Sequence, residues 1–175
     1  MTLILLIILI IGLIAGYRRG AVLQFMHLIG TVSAIVIASL NYEALGSRFY
    51  LVMPYPSTAQ ANAVLTDVGN LEYAYYYMFA FFLIFLVSKI VIQIIVSGFD
   101  YLQQVTSDGM IQSITGTVLG LIEAVYVLVV ILFFVATIPY QPVQEALAES
   151  GIASFIIEHT FIVSDKLIEW IQVES

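Results

Sequence analysis

Two charged residues stand inside apolar stretches of this chain, Lys89 in FLVSKIVIQII and Glu123 in GLIEAVYVLVV. A charge in such surroundings is costly and is ordinarily held by an opposite charge, a hydrogen bond or water. Lys89 and Glu123 therefore form a candidate intramembrane ion pair. Gln24, His27, Ser88 and Gln93 also sit among apolar residues and form a candidate polar cluster around it. Such a cluster serves either as interhelical hydrogen bonds or as the lining of a small hydrated pocket for an ion or solute. No further chemistry follows from residue types. The chain has no cysteine, no phosphate loop of the G-x-x-x-x-G-K-[ST] type and no H-E-x-x-H. Asp100 and Asp108 share one turn, which is not the arrangement of an intramembrane aspartyl protease, and Gly109 to Ser113 is not a serine nucleophile motif. His27 alone is no metal site, because the only other histidine, His159, lies in the tail. The expectation is no catalytic residue, no metal and no cofactor.

The elements that must position these residues follow from hydropathy. Hydrophobic residues make up 62% of the chain and charged residues 10%, where a soluble domain averages roughly 25% charged. Mean hydropathy is +1.06. The apolar residues lie in long blocks, and lipid offers the backbone no hydrogen-bond partner, so the blocks must be helices. The sequence predicts an all-α polytopic membrane bundle: a four-span domain over residues 1–140, with spans at about 2–15, 21–40, 73–97 and 113–138 and a loop over 41–72. Met53 to Ser57 marks that loop, with a short helix expected around 58–68. A signal peptide would carry its positive charge before the first apolar run. Here Arg18 and Arg19 follow it, so the run reads as a retained span. Residues 141–175 form an amphipathic helical tail. Val143, Ala146, Leu147, Ile152, Phe155 and Ile156 repeat at three- and four-residue steps, then Leu167, Trp170 and Ile171 after Ser164, a plausible N-cap. Glu145, Glu149, Glu158 and Glu169 lie opposite, and an acidic polar face suits docking on protein better than on anionic lipid.

Packing and orientation can be read from small residues and basic ones. Gly12, Gly16 and Gly20, then Gly30, Ala34 and Ala38, then Gly116, Gly120 and Ala124 form three ladders spaced by four. Such ladders let membrane helices approach closely, which predicts tight contacts among spans one, two and four. It leaves open whether the same ladders also join copies of the chain in a homo-oligomer. Phe79, Phe81, Phe82 and Phe85 suggest that span three faces lipid. Arg18 and Arg19 place the turn Gly16 to Gly20 on the cytoplasmic side and both termini outside. Lys89 and Glu123 are equally far from Thr106, so in an antiparallel hairpin they share one depth, roughly 15 Å inside the cytoplasmic edge. The net charge of −7 argues against a nucleic-acid partner.

Gly16-Tyr17-Arg18-Arg19-Gly20 followed by Ala-Val-Leu-Gln, the stretch from Ser113 to Ala124, and the tail Val143 to Ser150 together resemble the colicin V production protein (CvpA) family. The resemblance covers most of the chain. It implies a bacterial inner-membrane protein connected with colicin V (toxin) production or export and with envelope homeostasis, acting as an accessory or scaffold through membrane protein partners. The alternative is an oligomeric channel or transporter lined by Lys89, Glu123, Gln93 and His27. Where many relatives carry Arg-Gly, this chain has Glu123-Ala124.

Overall fold

The computed structural model describes residues 1–56, 70–99, 109–160 and 166–169, and every regular element among them is helical. In chain order these are α1 (Thr2–Val52), α2 (Leu71–Ser97), α3 (Met110–Ala136), α4 (Gln141–Ala148) and α5 (Gly151–His159), with a further helical turn at 166–169. Three helices, α1, α2 and α3, are long and apolar enough to cross a membrane. Four separate spans were expected; the first two are instead one long helix bent at Gly20 into two arms. The segments 2–15 and 21–40 belong to one element because the only residue that leaves helical geometry between Thr2 and Val52 is Gly20, at φ 74° and ψ 176°. A positive φ of this kind is open to glycine and strained for other residues.

Contacts on either side of Gly20 run in opposite senses. Gly12 lies against Gly120 and Ala124, and Gly16 against Gly116 and Gly120, so the arm 2–19 is antiparallel to α3. Gln24 and Thr31 both reach Glu123 from the following arm. Tyr42 meets Tyr77 and Phe81, while His27 meets Gln93, so the arm 21–52 is antiparallel to α2. Phe82 stacks on Phe134, and Lys89 reaches Glu123, so α2 is antiparallel to α3 in turn. The chain therefore folds back at Gly20. α1 makes most of the interhelical packing, against both α3 and α2, and α2 and α3 approach each other at few points.

The expected loop 41–72 is shorter at its start. Helix α1 continues to Val52, and its polar side chains bond within the helix: Ser39 to the Val36 carbonyl, Asn41 to that of Ile37 and Ser47 to that of Ala44. It stops where Pro54 forces the preceding residue out of the helical region, and Met53 has φ −99° and ψ 131°. Helix α2 starts with Asn70, whose side chain accepts from the Tyr73 amide at 3.1 Å. The expected helix at 58–68, the turn around Thr106 with Asp100 and Asp108, and Ser164, Trp170 and Ile171 lie outside the described residues. So does the side chain of Glu158.

The phenylalanines of α2 are not its lipid face. Phe81 and Phe85 are buried, Phe82 stacks on Phe134 of α3, and Phe79 meets the same ring at a tilt. Large rings fill the gap where helices stand apart, whereas glycines serve where backbones touch. Lipid exposure on α2 falls in its second half, at Leu86, Val87, Ile90, Val91, Ile94 and Ile95.

The tail closes the end of the bundle opposite Gly20. Pro142 lies in the first turn of α4, where its missing N–H costs nothing. Gln144, which the sequence reading passed over, donates to the carbonyls of Ala136 at 2.9 Å and Ile138 at 2.8 Å, caring for the bare end of α3. Ser150 caps α5 and shares a 2.9 Å hydrogen bond with Thr2. Leu147, Ala153, Ile156, Ile157 and Leu167 are buried in the shared core. Phe155 departs from expectation: it is 63% exposed and stacks on His159, while Ile157 takes the inward place.

The close approach of α1 and α3 makes a direct prediction. A methyl at Gly12 would lie 2.6 Å from the Ala124 Cβ, and one at Gly16 would overlap the Gly116 carbonyl oxygen. Gly16→Leu should cost about 3 kcal/mol or more, read as a lowered midpoint of thermal aggregation in detergent. Gly151→Ala, where an added methyl meets nothing within 4 Å, should leave that midpoint unchanged.

Candidate functional site: a buried carboxylate held by three helix segments

Glu123 lies at the midpoint of α3 (Met110–Ala136). Its side chain retains 11% exposure, and at that depth lipid cannot solvate a carboxylate. The protein supplies the missing partners. Lys89 Nζ of α2 lies 2.6 Å from Glu123 Oε1. Thr31 Oγ1 of α1 donates to the same oxygen at 2.8 Å. Gln24 Nε2 donates to Oε2 at 2.5 Å. Lys89 also donates to Thr31 Oγ1 at 2.6 Å, so the hydroxyl accepts from the ammonium and passes a hydrogen to the carboxylate. Both carboxylate oxygens are thus engaged by donors from two other helix segments. A buried ion pair is favourable only when such extra bonds satisfy it.

Spacing on α1 explains how three of the groups converge. Gln24, His27 and Thr31 fall at steps of three and four, which places them on one side of a helix. All three are buried. His27 Nδ1 shares a 2.7 Å hydrogen bond with Gln93 Nε2 of α2, and the His27 carbonyl lies 3.1 Å from the Thr31 hydroxyl. The network continues outward through Arg19, whose Nη1 lies 3.4 Å from Gln24 Oε1.

The structure thus brings together Lys89, Glu123, Gln24, His27 and Gln93 with the turn residue Arg19. Thr31 belongs at the centre and was missed by the sequence reading. Its hydroxyl looked unremarkable among Gly30, Val32 and Ser33, although its position one turn beyond His27 carried the signal. Ser88 makes no hydrogen bond to the cluster among the described residues, because a helical neighbour of Lys89 points about 100° away. Arg18 is exposed and stands apart from the network. Gly12, Gly16, Gly20, Gly116, Gly120 and Ala124 form the close seam between α1 and α3, while Gly30 faces Ile92 of α2 and Ala34 is buried in the core. No group of three or more metal-ligating side chains occurs among the described residues.

A membrane helix bundle built around a neutralised charge pair is the class that fold and site define. The chain matches the colicin V production protein family over residues 1–160, and it belongs to that family. It is also 32% identical over 170 residues to an uncharacterized transmembrane protein, YshB, of Bacillus subtilis (strain 168), covering 97% of this chain and 96% of that protein. No solved structure matches it.

The pair can be tested by a double-mutant cycle. Glu123→Gln alone leaves a charged ammonium beside a neutral amide and should cost about 3 kcal/mol. Lys89→Met together with Glu123→Gln should recover about 1–2 kcal/mol of the summed losses. Thermal or denaturant unfolding in detergent gives the energies, and strict additivity would mean that the two groups are not coupled.

Proposed function

We propose that this protein is an accessory component of the bacterial cell membrane that acts by binding other membrane proteins. We extend this to the processes its family is named for, toxin production or export, and to envelope homeostasis. The observation that carries the reading is the saturation of Glu123. Its oxygens are occupied by Lys89, Thr31 and Gln24, so the side chains with the most chemical potential are committed to holding α1, α2 and α3 in register. A rigid bundle of this kind presents surfaces rather than performing catalysis, and we read it as no enzyme. Arg18 and Arg19 put the Gly20 turn on the cytoplasmic side, with the N-terminus and the α4–α5 tail on the other side.

A second reading has its own observation. Hydrogen bonds run from Arg19 through Gln24 to Glu123, from the Gly20 turn to the middle of α3. Lys89 and Gln93 then line a cleft between α2 and α3. Such a chain of polar groups would suit a path for ions or small solutes.

Copies purified from native membranes after crosslinking should carry defined membrane proteins, and liposomes holding the pure protein should show no ion flux above empty ones. Flux that disappears with Glu123→Gln, with no partner recovered, would instead select the transport reading. Orientation has a separate check, since the chain lacks cysteine. An Arg18→Cys variant should react with a membrane-impermeant maleimide only after the cells are opened.

A further inference from the structure

Several elements reach one common level far from Gly20. Gly20 lies against Gly116, and from Gly116 to Ala136 helix α3 rises about 30 Å. The arm 2–19 rises about 27 Å from the same turn, and the arm 21–52 reaches a height of about 30 Å at Leu40. A hydrocarbon layer is about 30 Å thick. Beyond Leu40 the exposed side chains include Asn41, Glu43, Ser47 and Arg48. Tyr42 meets Tyr77 at this height, and Tyr77 stacks on Tyr73, as suits a headgroup layer. One edge of the hydrocarbon therefore passes near Thr2, Leu40 and Ala136.

Helix α5 starts at that edge. Ser150, its N-cap, is 2.9 Å from the Thr2 hydroxyl, and Leu3 and Ile4 next to Thr2 are 70% and 62% exposed. Ala153, Ile156 and Ile157 of α5 join the core. At 100° per residue Phe155 falls on the opposite side, and it is 63% exposed. Its ring stacks on His159 with centroids 4.9 Å apart. Helix α4 sits over the end of α3 through Gln144, and its exposed Glu145 and Glu149 belong on the water side.

We propose that α5 rests in the boundary between headgroups and acyl chains of the leaflet away from Gly20, with the Phe155 ring inserted among phospholipids. Continuity carries the assignment: α5 begins beside Leu3 and Ile4, which already face lipid at that level. An aromatic ring on a short helix lying in the membrane plane is a standard form of interfacial anchor. A protein partner fits less well. Phe155 is the only exposed large apolar side chain among the described ones of α5, far short of the roughly 1,000 Å² that a specific protein interface needs. Attraction to anionic headgroups is not the source of the contact, because the exposed charges of α4 are acidic and Lys166 is paired with Glu169. The contact holds whichever partner the bundle serves.

The test uses the full chain in vesicles of phosphatidylethanolamine and phosphatidylglycerol. Trp170 is the single tryptophan, so Trp170→Phe gives a silent background for Phe155→Trp. Its fluorescence should be quenched on the order of twofold more by phospholipid brominated near the top of the acyl chain than by one brominated near its end. Glu145→Trp in the same background should be quenched by aqueous iodide and by neither lipid. Doubling the phosphatidylglycerol share should leave the lipid quenching at Phe155→Trp unchanged. A spin label on Phe155→Cys, in the chain with Trp170 intact, should be reached by oxygen more readily than by a water-soluble nickel complex. Iodide quenching of Phe155→Trp as full as that of Glu145→Trp would place the ring in water and overturn the proposal. Shielding from iodide and both lipids would do so by showing a protein cover, and so would stronger quenching from the chain ends or a rise with phosphatidylglycerol.

Discussion

A carboxylate at the middle of a membrane helix admits few solutions, and the bundle is arranged around the one this chain adopts. Glu123 must be neutralised, and its oxygens need more donors than one lysine offers. Helix α3 is therefore rotated until Glu123 faces the arm of α1 that carries Gln24 and Thr31, and α2 until Lys89 arrives at the same oxygen. The rotations of both helices are set by one charge. Burial cannot do this in lipid, since apolar side chains gain little by leaving lipid tails for one another. Polar bonds and close fit must specify the packing instead.

Close fit is divided between two residue classes. Along α1 and α3 the backbones touch, with Gly12, Gly16 and Gly20 against Gly116, Gly120 and Ala124. Where α2 stands off from α3, Phe79 and Phe82 bridge the distance to Phe134. Near the other end of α1, Tyr50 and Tyr55 meet Tyr76, whose hydroxyl donates to the Met53 carbonyl. Small residues mark contact between backbones and large ones mark separation, yet both mark interior. That is why the phenylalanines of α2 misled a reading that equated bulk with lipid exposure.

Much of the fold was legible for reasons that can be named. Hydropathy blocks locate α2 and α3 because lipid makes helix the only backbone solution. Equal distance from the turn predicted the level of Lys89 and Glu123 because an antiparallel hairpin conserves depth. The glycine ladders pointed to contact between the first arm of α1 and α3. The reading failed where the signal was conformational rather than compositional. Gly16 to Gly20 looked like a turn segment between two spans, yet a single glycine at positive φ suffices and helix continues on both sides. Asn41 to Val52 looked like part of the loop marked by Met53 to Ser57 and several turn formers, but Asn41 and Ser47 bond back to their own helix. Thr31 needed knowledge of which face of α1 turns toward Glu123, and Ser88 needed the reverse.

The same geometry explains why the second half of α2 is the part of the bundle most dependent on polar contacts. Its first half is anchored by Tyr76, Met78, Phe81 and Phe85, all buried. From Leu86 onward most of its apolar side chains face outward, and its attachment to α1 comes mainly through Lys89, Gln93 and the contact of Ile92 with Gly30. Hydrogen bonds in that setting are individually modest, about 0.6–2 kcal/mol, but they act at neighbouring turns and restrain one another. Lys89 belongs at once to the internal network and to the outer cleft. Any group that competes for its ammonium from outside must therefore also change how firmly α2 is held to α1. The hold of α2 on α1 in this half therefore rests on a few polar contacts rather than on buried area.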